Sequence, residues 1–234
     1  MSVEVEVVED PARACSAMLL SAVLSGGHVV LTGGSTPRTA YQELAQALRS
    51  IGRDFGGATL WFGDERCVPP DDERSNYRLA KESLLDPLAD VATPDVKRMK
   101  GELGPDEGAD DYERELRSAG APAFDLLLLG IGPDGHAASL FPDQATLAER
   151  SRLVIGVQEA GLEPYVPRIS LTLPALTSAK QVVFLATGES KAEAVAAAFG
   201  PDAREDPHVP ASMVAAGADE VTVLLDPPAA GKLR

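Results

Sequence analysis

The chain has 234 residues, 21 Lys+Arg against 36 Asp+Glu, a formal net charge of −15, and 44% hydrophobic with 24% charged residues. The apolar content is that of an ordinary folded protein, which excludes a disordered acidic tail; the charge disfavours nucleic acid and offers no basic face to an anionic membrane. At this length the expectation is one domain, residues 1–234, able to bury a sizeable core.

Short apolar runs alternate with longer amphipathic stretches. A helix is expected at Pro11–Leu24 and a strand at His28–Thr32. That strand runs through Thr32-Gly33-Gly34-Ser35-Thr36-Pro37 into a helix over Pro37–Arg49, whose Tyr41, Leu44, Ala45 and Leu48 share one face. Pro37 suits a first helical turn, and Ser35 or Thr36 suits the N-cap. Two glycines let backbone approach a ligand, hydroxyls add donors, and free N–H groups with the helix dipole attract an anion, so Gly34, Ser35 and Thr36 are candidate anion-binding residues. Read alone, the loop is equally a plain capped turn. It is not a Walker A loop, because the chain has no GxxxxGKS or GxxxxGKT string.

The next strand, Thr59–Gly63, ends in Asp64-Glu65-Arg66. Three charges at a strand end are costly unless solvated or paired, and an Arg there can fork onto a carboxylate or phosphate. A solvated turn with local ion pairs explains the segment as well. A helix over Asn76–Leu85 begins from an N-cap at Ser75, and the Pro/Gly/Asp-rich stretch Val91–Asp110 reads as a surface loop running into a helix over Asp106–Ala119. The strand Asp125–Ile131 leads into Gly130-Ile131-Gly132-Pro133-Asp134-Gly135-His136-Ala137-Ala138-Ser139-Leu140-Phe141-Pro142. Gly130, Gly132 and Gly135 satisfy GxGxxG, but a dinucleotide fingerprint opens a long helix, whereas Pro142 stops any helix within two turns and Pro133 removes a backbone N–H. A dinucleotide site is therefore rejected. Asp134 and His136 flank a glycine in this strand-end position, where a carboxylate can set the tautomer of an imidazole that acts as base. A His in such a turn also serves as a cap or packing residue.

Strands at Leu153–Val157, Arg168–Leu173, Val182–Thr187 and Val221–Leu225, a helix at Ser190–Phe199 and a loop at Gly200–Pro210 complete the pattern. Several strands are continuous apolar runs, as expected when both faces are covered. The order points to a three-layer, Rossmann-like α/β domain with a mostly parallel central sheet flanked by helices, in which ligands lie beyond the carboxyl ends of the strands. Arg168 at a strand start and Lys191 in the first turn of a helix add positive charge. A cation there opposes the helix dipole and points to a shared anionic ligand, with a surface Lys as the plain alternative.

Of the three histidines, His28 begins a strand and reads as structural, and His208 has no assigned role. No GxSxG elbow or HExxH string exists, and Cys15 and Cys67 lack both CxxC spacing and a neighbouring base, which leaves no zinc site or disulfide framework and points to a reducing compartment. The N-terminus lacks the basic and apolar regions of a signal peptide, and the longest apolar run, around Leu126–Leu129, is too short for a bilayer. A cytoplasmic protein is expected.

Together, Gly33-Gly34-Ser35-Thr36-Pro37, Gly63-Asp64-Glu65-Arg66-Cys67-Val68-Pro69, the Gly130–Pro142 string, Pro167-Arg168-Ile169-Ser170-Leu171-Thr172 and Gly188-Glu189-Ser190-Lys191 closely resemble the 6-phosphogluconolactonase family. The resemblance runs in order over nearly the whole chain. The related glucosamine-6-phosphate deaminases share similar loops but carry an acidic catalytic residue after the His, where this chain has Ser139-Leu140-Phe141-Pro142. Departures are Cys67, where an aromatic residue is common, and Pro210-Ala211-Ser212, which match loosely and receive no role. The resemblance implies hydrolysis of a sugar-phosphate lactone, 6-phospho-D-glucono-1,5-lactone, without metal or organic cofactor. It implies His136 as general base, Asp134 orienting it, Asp64 placing water or sugar hydroxyls, and Arg66 binding substrate and oxyanion. Gly34, Ser35 and Thr36 would hold the phosphate, with Arg168 and Lys191 closing over it. A monomer is expected, with a weak homodimer as the alternative.

Overall fold

Runs such as Leu126–Leu129 and Val182–Ala186 are buried at every position, because each lies in a parallel sheet covered by helices on both faces. The computed structural model describes residues 2–52, 55, 57–91, 94–120 and 123–233. Its elements are β1 (Ser2–Val7), α1 (Pro11–Leu24), β2 (His28–Leu31), α2 (Ser35–Ile51), β3 (Thr59–Phe62), β4 (Asp64–Arg66), α3 (Asn76–Ala80), β5 (Asp95–Val96), α4 (Pro105–Ser118), β6 (Leu126–Leu129), β7 (Val154–Val157), β8 (Arg168–Leu171), α5 (Leu173–Thr177), β9 (Val182–Ala186), α6 (Ala192–Phe199), α7 (Pro210–Gly217) and β10 (Glu220–Leu225). Seven strands form one parallel sheet in the order β1-β10-β9-β6-β2-β3-β5. The Tyr41, Leu44, Ala45 and Leu48 face of α2 is buried as expected, and the two leucines each contribute about 1.5–3 kcal/mol by leaving water.

The α/β expectation holds, with corrections. The runs at Leu153–Val157 and Arg168–Leu173 are not in the parallel sheet: β7 and β8 pair antiparallel with β4 as a separate three-stranded sheet. Their apolar composition reflects burial there and carries no information on direction. The charged Asp64–Arg66 segment is itself a strand, β4, antiparallel to β8. β1 adds a strand beyond those expected, at the sheet edge, where its alternating Val3 and Val7 stay in solvent. The 91–110 stretch is not all loop, since it holds β5, a short turn of helix at Gly101–Leu103 and the start of α4; residues 92 and 93 lie outside the described residues. The Asn76–Leu85 helix is α-helical only to Ala80 and then widens into a π turn at Lys81–Leu85. Among the described residues, no helix is long and apolar enough to cross a membrane.

Candidate active site

The carboxyl ends of β2, β3, β6 and β9 open onto one cavity of about 390 Å³. At the β2 end, α2 starts at Ser35, and Gly34 (φ 117°) takes the N-cap position in place of Ser35 or Thr36. No side chain caps the helix, so first-turn N–H groups are left for a ligand at the cavity wall that Gly34, Ser35 and Thr36 form. The Tyr41 hydroxyl accepts from the Thr32 N–H (2.9 Å) and donates to its carbonyl (2.8 Å), which fixes the strand end. Thr36 Oγ1 lies 2.7 Å from Thr187 Oγ1, tying the turn to the end of β9.

Beyond β6 the chain turns sharply without opening a helix, as the two prolines require. Asp134 Oδ1 is 2.6 Å from His136 Nδ1 and also accepts the His136 backbone N–H at 3.2 Å. A carboxylate at that distance makes Nδ1 the protonated nitrogen and leaves Nε2 with a lone pair. His136 lines the cavity, and among the described residues Nε2 has no partner. Burial alone would push the Asp134 carboxyl up, but the hydrogen bond and charge of His136 hold it below the ordinary value. Phe141 packs against the imidazole at 4.8 Å between ring centroids. Gly132 is obligatory here, since a Cβ would overlap both His136 Nδ1 and Asp134 Oδ1.

Three cations reach the same cavity: Arg66, Arg168 and Lys191. Among the described residues none of them has a carboxylate within ion-pair distance, whereas Arg49, Arg74, Arg78, Lys81 and Arg98 each do. Arg66 donates Nη1 to the Arg74 carbonyl (2.6 Å) and has its Nε buried without a partner. Burial, and then the nearby charge of Arg66, lower the Arg168 guanidinium, with Asp64 and Glu65 opposing. Burial likewise lowers Lys191, and Asp134 is the charge that offsets it. Arg168, expected to close over a ligand, lines the cavity but is only 3% exposed. Its Nε donates to the Val166 carbonyl (3.1 Å) and its Nη2 to the carbonyls of Pro164 (2.8 Å) and Leu162 (3.4 Å), so it is a fixed wall of the cavity.

The Asp64-Glu65-Arg66 run separates into three tasks. Glu65 faces away from the cavity and accepts from the Asn76 and Tyr77 N–H groups, both at 2.8 Å, which caps α3; burial nevertheless pushes its carboxyl up. Asp64 borders the cavity and is buried, with both oxygens occupied by donors from Asn76 and Ser139. Ser139 and Ser170 lie inside strings that carry the family resemblance and Asn76 lies at the start of a helix, but nothing in the sequence marks any of the three as a buried donor in the site. His28 is structural, its Nδ1 accepting from Trp61 Nε1 at 3.0 Å. His208 is exposed and pairs with Asp143 at 2.7 Å. The loosely matching Pro210-Ala211-Ser212 segment braces the Asp134–His136 turn, since Ala211 donates its N–H to the Gly135 carbonyl at 3.0 Å. Among the described residues, no group of three His, Cys, Asp or Glu side chains is placed to hold a metal ion.

An uncapped helix start and unpaired cations beside a carboxylate-oriented imidazole, all at the carboxyl edge of a parallel sheet, define an α/β enzyme for a small anionic substrate. The chain belongs to the family described as glucosamine-6-phosphate isomerases/6-phosphogluconolactonase, whose model matches residues 4–223. It is 40% identical over 205 residues to human 6-phosphogluconolactonase, covering 86% of this chain and 78% of that protein. The solved structure of 6-phosphogluconolactonase from Trypanosoma brucei superposes with a TM-score of 0.82 at 26% identity, over 100% of this chain and 99% of that one. A monomeric glucosamine-6-phosphate deaminase superposes equally well, with a TM-score of 0.83 over 99% and 100% of the two chains, but at 22% identity it shows the fold alone.

Proposed function

We propose that this enzyme hydrolyses 6-phospho-D-glucono-1,5-lactone to 6-phospho-D-gluconate, with His136 as general base and the whole chain acting as one domain. The observation that carries the reading is the His136 imidazole, which gives Nδ1–H to Asp134 at 2.6 Å and so offers Nε2 to a cavity holding three unpaired cations. Nε2 takes a proton from a water that attacks the lactone carbonyl. Arg66 balances the oxyanion of the tetrahedral intermediate. The ring C–O bond then breaks, and the imidazolium returns its proton to the departing oxygen; the new carboxylic acid releases its remaining proton to solvent and leaves as the carboxylate product. Asp134 stabilises the transient imidazolium and holds its ring in place.

The substrate phosphate sits on the N–H groups and hydroxyls at Gly34, Ser35 and Thr36, with Lys191 beside them and Arg168 as a fixed charge in the wall. No step calls for a metal or an organic cofactor. The identity with lactonases supports the choice of substrate over an amino sugar, as does Ser139-Leu140-Phe141 after the His. The test is disappearance of freshly prepared lactone against an enzyme-free blank, with glucosamine 6-phosphate run in parallel. Saturable acceleration over the blank is expected, with no ammonia released. A lactone rate equal to the blank, or ammonia release, overturns the reading.

A further inference from the structure

We propose that Asn76 and Ser139 are positioning residues that act on the reaction through Asp64; the proposal rests on the lactonase reading above. Asp64 is 5% exposed, and a buried carboxylate costs several kcal/mol unless donors replace its water. Here the donors are neutral. Asn76 Nδ2 donates to Asp64 Oδ1 at 3.0 Å and to the Asp64 carbonyl at 2.9 Å, and Ser139 Oγ donates to Oδ2 at 2.6 Å.

Both donors are themselves fixed. Ser139 is fully buried, and its backbone N–H donates to Ser170 Oγ at 3.1 Å, while Ser170 gives its own proton to the Leu171 carbonyl at 2.9 Å. The Ser139 hydroxyl therefore keeps its single proton for Asp64. Asn76 is packed directly under the anion-binding turn, where a Cβ at Gly33 would overlap its Oδ1. One carboxylate thus joins that turn, α3, β4 and the catalytic turn, which it grips three residues after His136.

A purely structural link would work with a neutral group and avoid the desolvation cost. The charge has a use at this place: Arg66 and Arg168 repel each other, and Asp64 is the first charge that opposes the repulsion on Arg168. Asn76 and Ser139 hold that carboxylate in place, and so set the separation between the guanidinium wall and His136. A residue acting this way governs how well the bound lactone is aligned, not how tightly its phosphate is held.

The test is the kcat and KM of Ser139→Ala, Asn76→Ala, the double variant and Asn76→Asp, with 6-phosphogluconate protection in thermal melts reporting an intact pocket. Each single alanine variant is expected to lose about 10- to 100-fold in kcat with KM within about threefold of wild type. The double variant is expected to lose little more than the worse single one, because both act through one group. Asn76→Asp, isosteric but anionic, is expected below Asn76→Ala, and it carries the test if Ser139→Ala does not fold. Wild-type kcat in both single alanine variants overturns the proposal. So does a loss of kcat that only tracks lost 6-phosphogluconate protection. A wild-type rate equal to the blank overturns the lactonase reading itself, and this proposal with it.

Discussion

The two ends of the parallel sheet carry the same three residue types and use them oppositely. At the amino end Asp125 borders a cavity of about 450 Å³, no smaller than the one at the carboxyl end. There Asp125 pairs with Lys180 at 2.6 Å and accepts the His28 N–H at 2.7 Å, while His28 Nδ1 accepts from Trp61 at 3.0 Å. At the carboxyl end Asp134 meets His136 at 2.6 Å, and Lys191 has no carboxylate within ion-pair distance among the described residues. The two histidines are therefore opposite tautomers: His28 keeps its proton on Nε2, and His136 keeps its proton on Nδ1. Neither volume nor residue type distinguishes a site from a scaffold. What does is whether the polar groups have already found their partners within the chain.

The largest expected contrast is between the two imidazoles. His136→Asn is expected to lower kcat on the lactone by about 10²- to 10⁴-fold with the melting temperature held. His28→Ala is expected to leave kcat unchanged and to cost about 1–3 kcal/mol of stability, because the buried Trp61 Nε1–H loses its acceptor. The reverse pattern in steady-state kinetics and denaturant melts would break the comparison. The two lysines come next. Lys191→Ala is expected to raise KM about tenfold or more by losing a charged contact to phosphate, and Lys180→Ala to leave KM unchanged. Added salt should raise the wild-type KM and affect Lys191→Ala less. The smallest effect concerns His208, which the hydrogen bond and charge of Asp143, and then Asp206, raise above its ordinary value. A raised value means that the pair stabilises fully below about pH 6.5 and is lost as pH rises through the folded-state value. His208→Ala is expected to keep kcat within about twofold, since the pair is exposed, with a melting difference that is widest in acid and closes as pH rises.

The sheet order was not legible in the sequence, although most of its strands were. Leu126–Leu129 and Val154–Val157 are equally apolar, yet one lies in the parallel sheet and the other in the antiparallel one, because direction is set by connections and not by side-chain period. In the site, the strings that hold Gly34, Arg66, Asp134, His136 and Lys191 were legible because turns and exposed charge at strand ends demand particular residue types. The bonding roles of Asn76, Ser139 and Ser170 were not, although the last two stand in strings that carry the family resemblance, because a buried neutral donor is recognised only by the acceptor it meets, and the acceptor for Asn76 and Ser139, Asp64, lies 12 and 75 residues away. Arg168 was expected to close over the phosphate, and it lines the cavity with its guanidinium already bonded to backbone carbonyls. Its commitment to the carbonyls of residues 162, 164 and 166 has no pattern in the sequence.

The tautomer assignment is the claim on which the account turns, and nitrogen-15 NMR of the three histidine rings reads it directly. At neutral pH the account predicts that His136 carries its proton on Nδ1 with Nε2 unprotonated, that His28 shows the opposite tautomer, and that Asp134→Asn disturbs the first without the second. A His136 ring protonated on Nε2, with its lone pair toward Asp134, would contradict the account, because no base would then face the cavity.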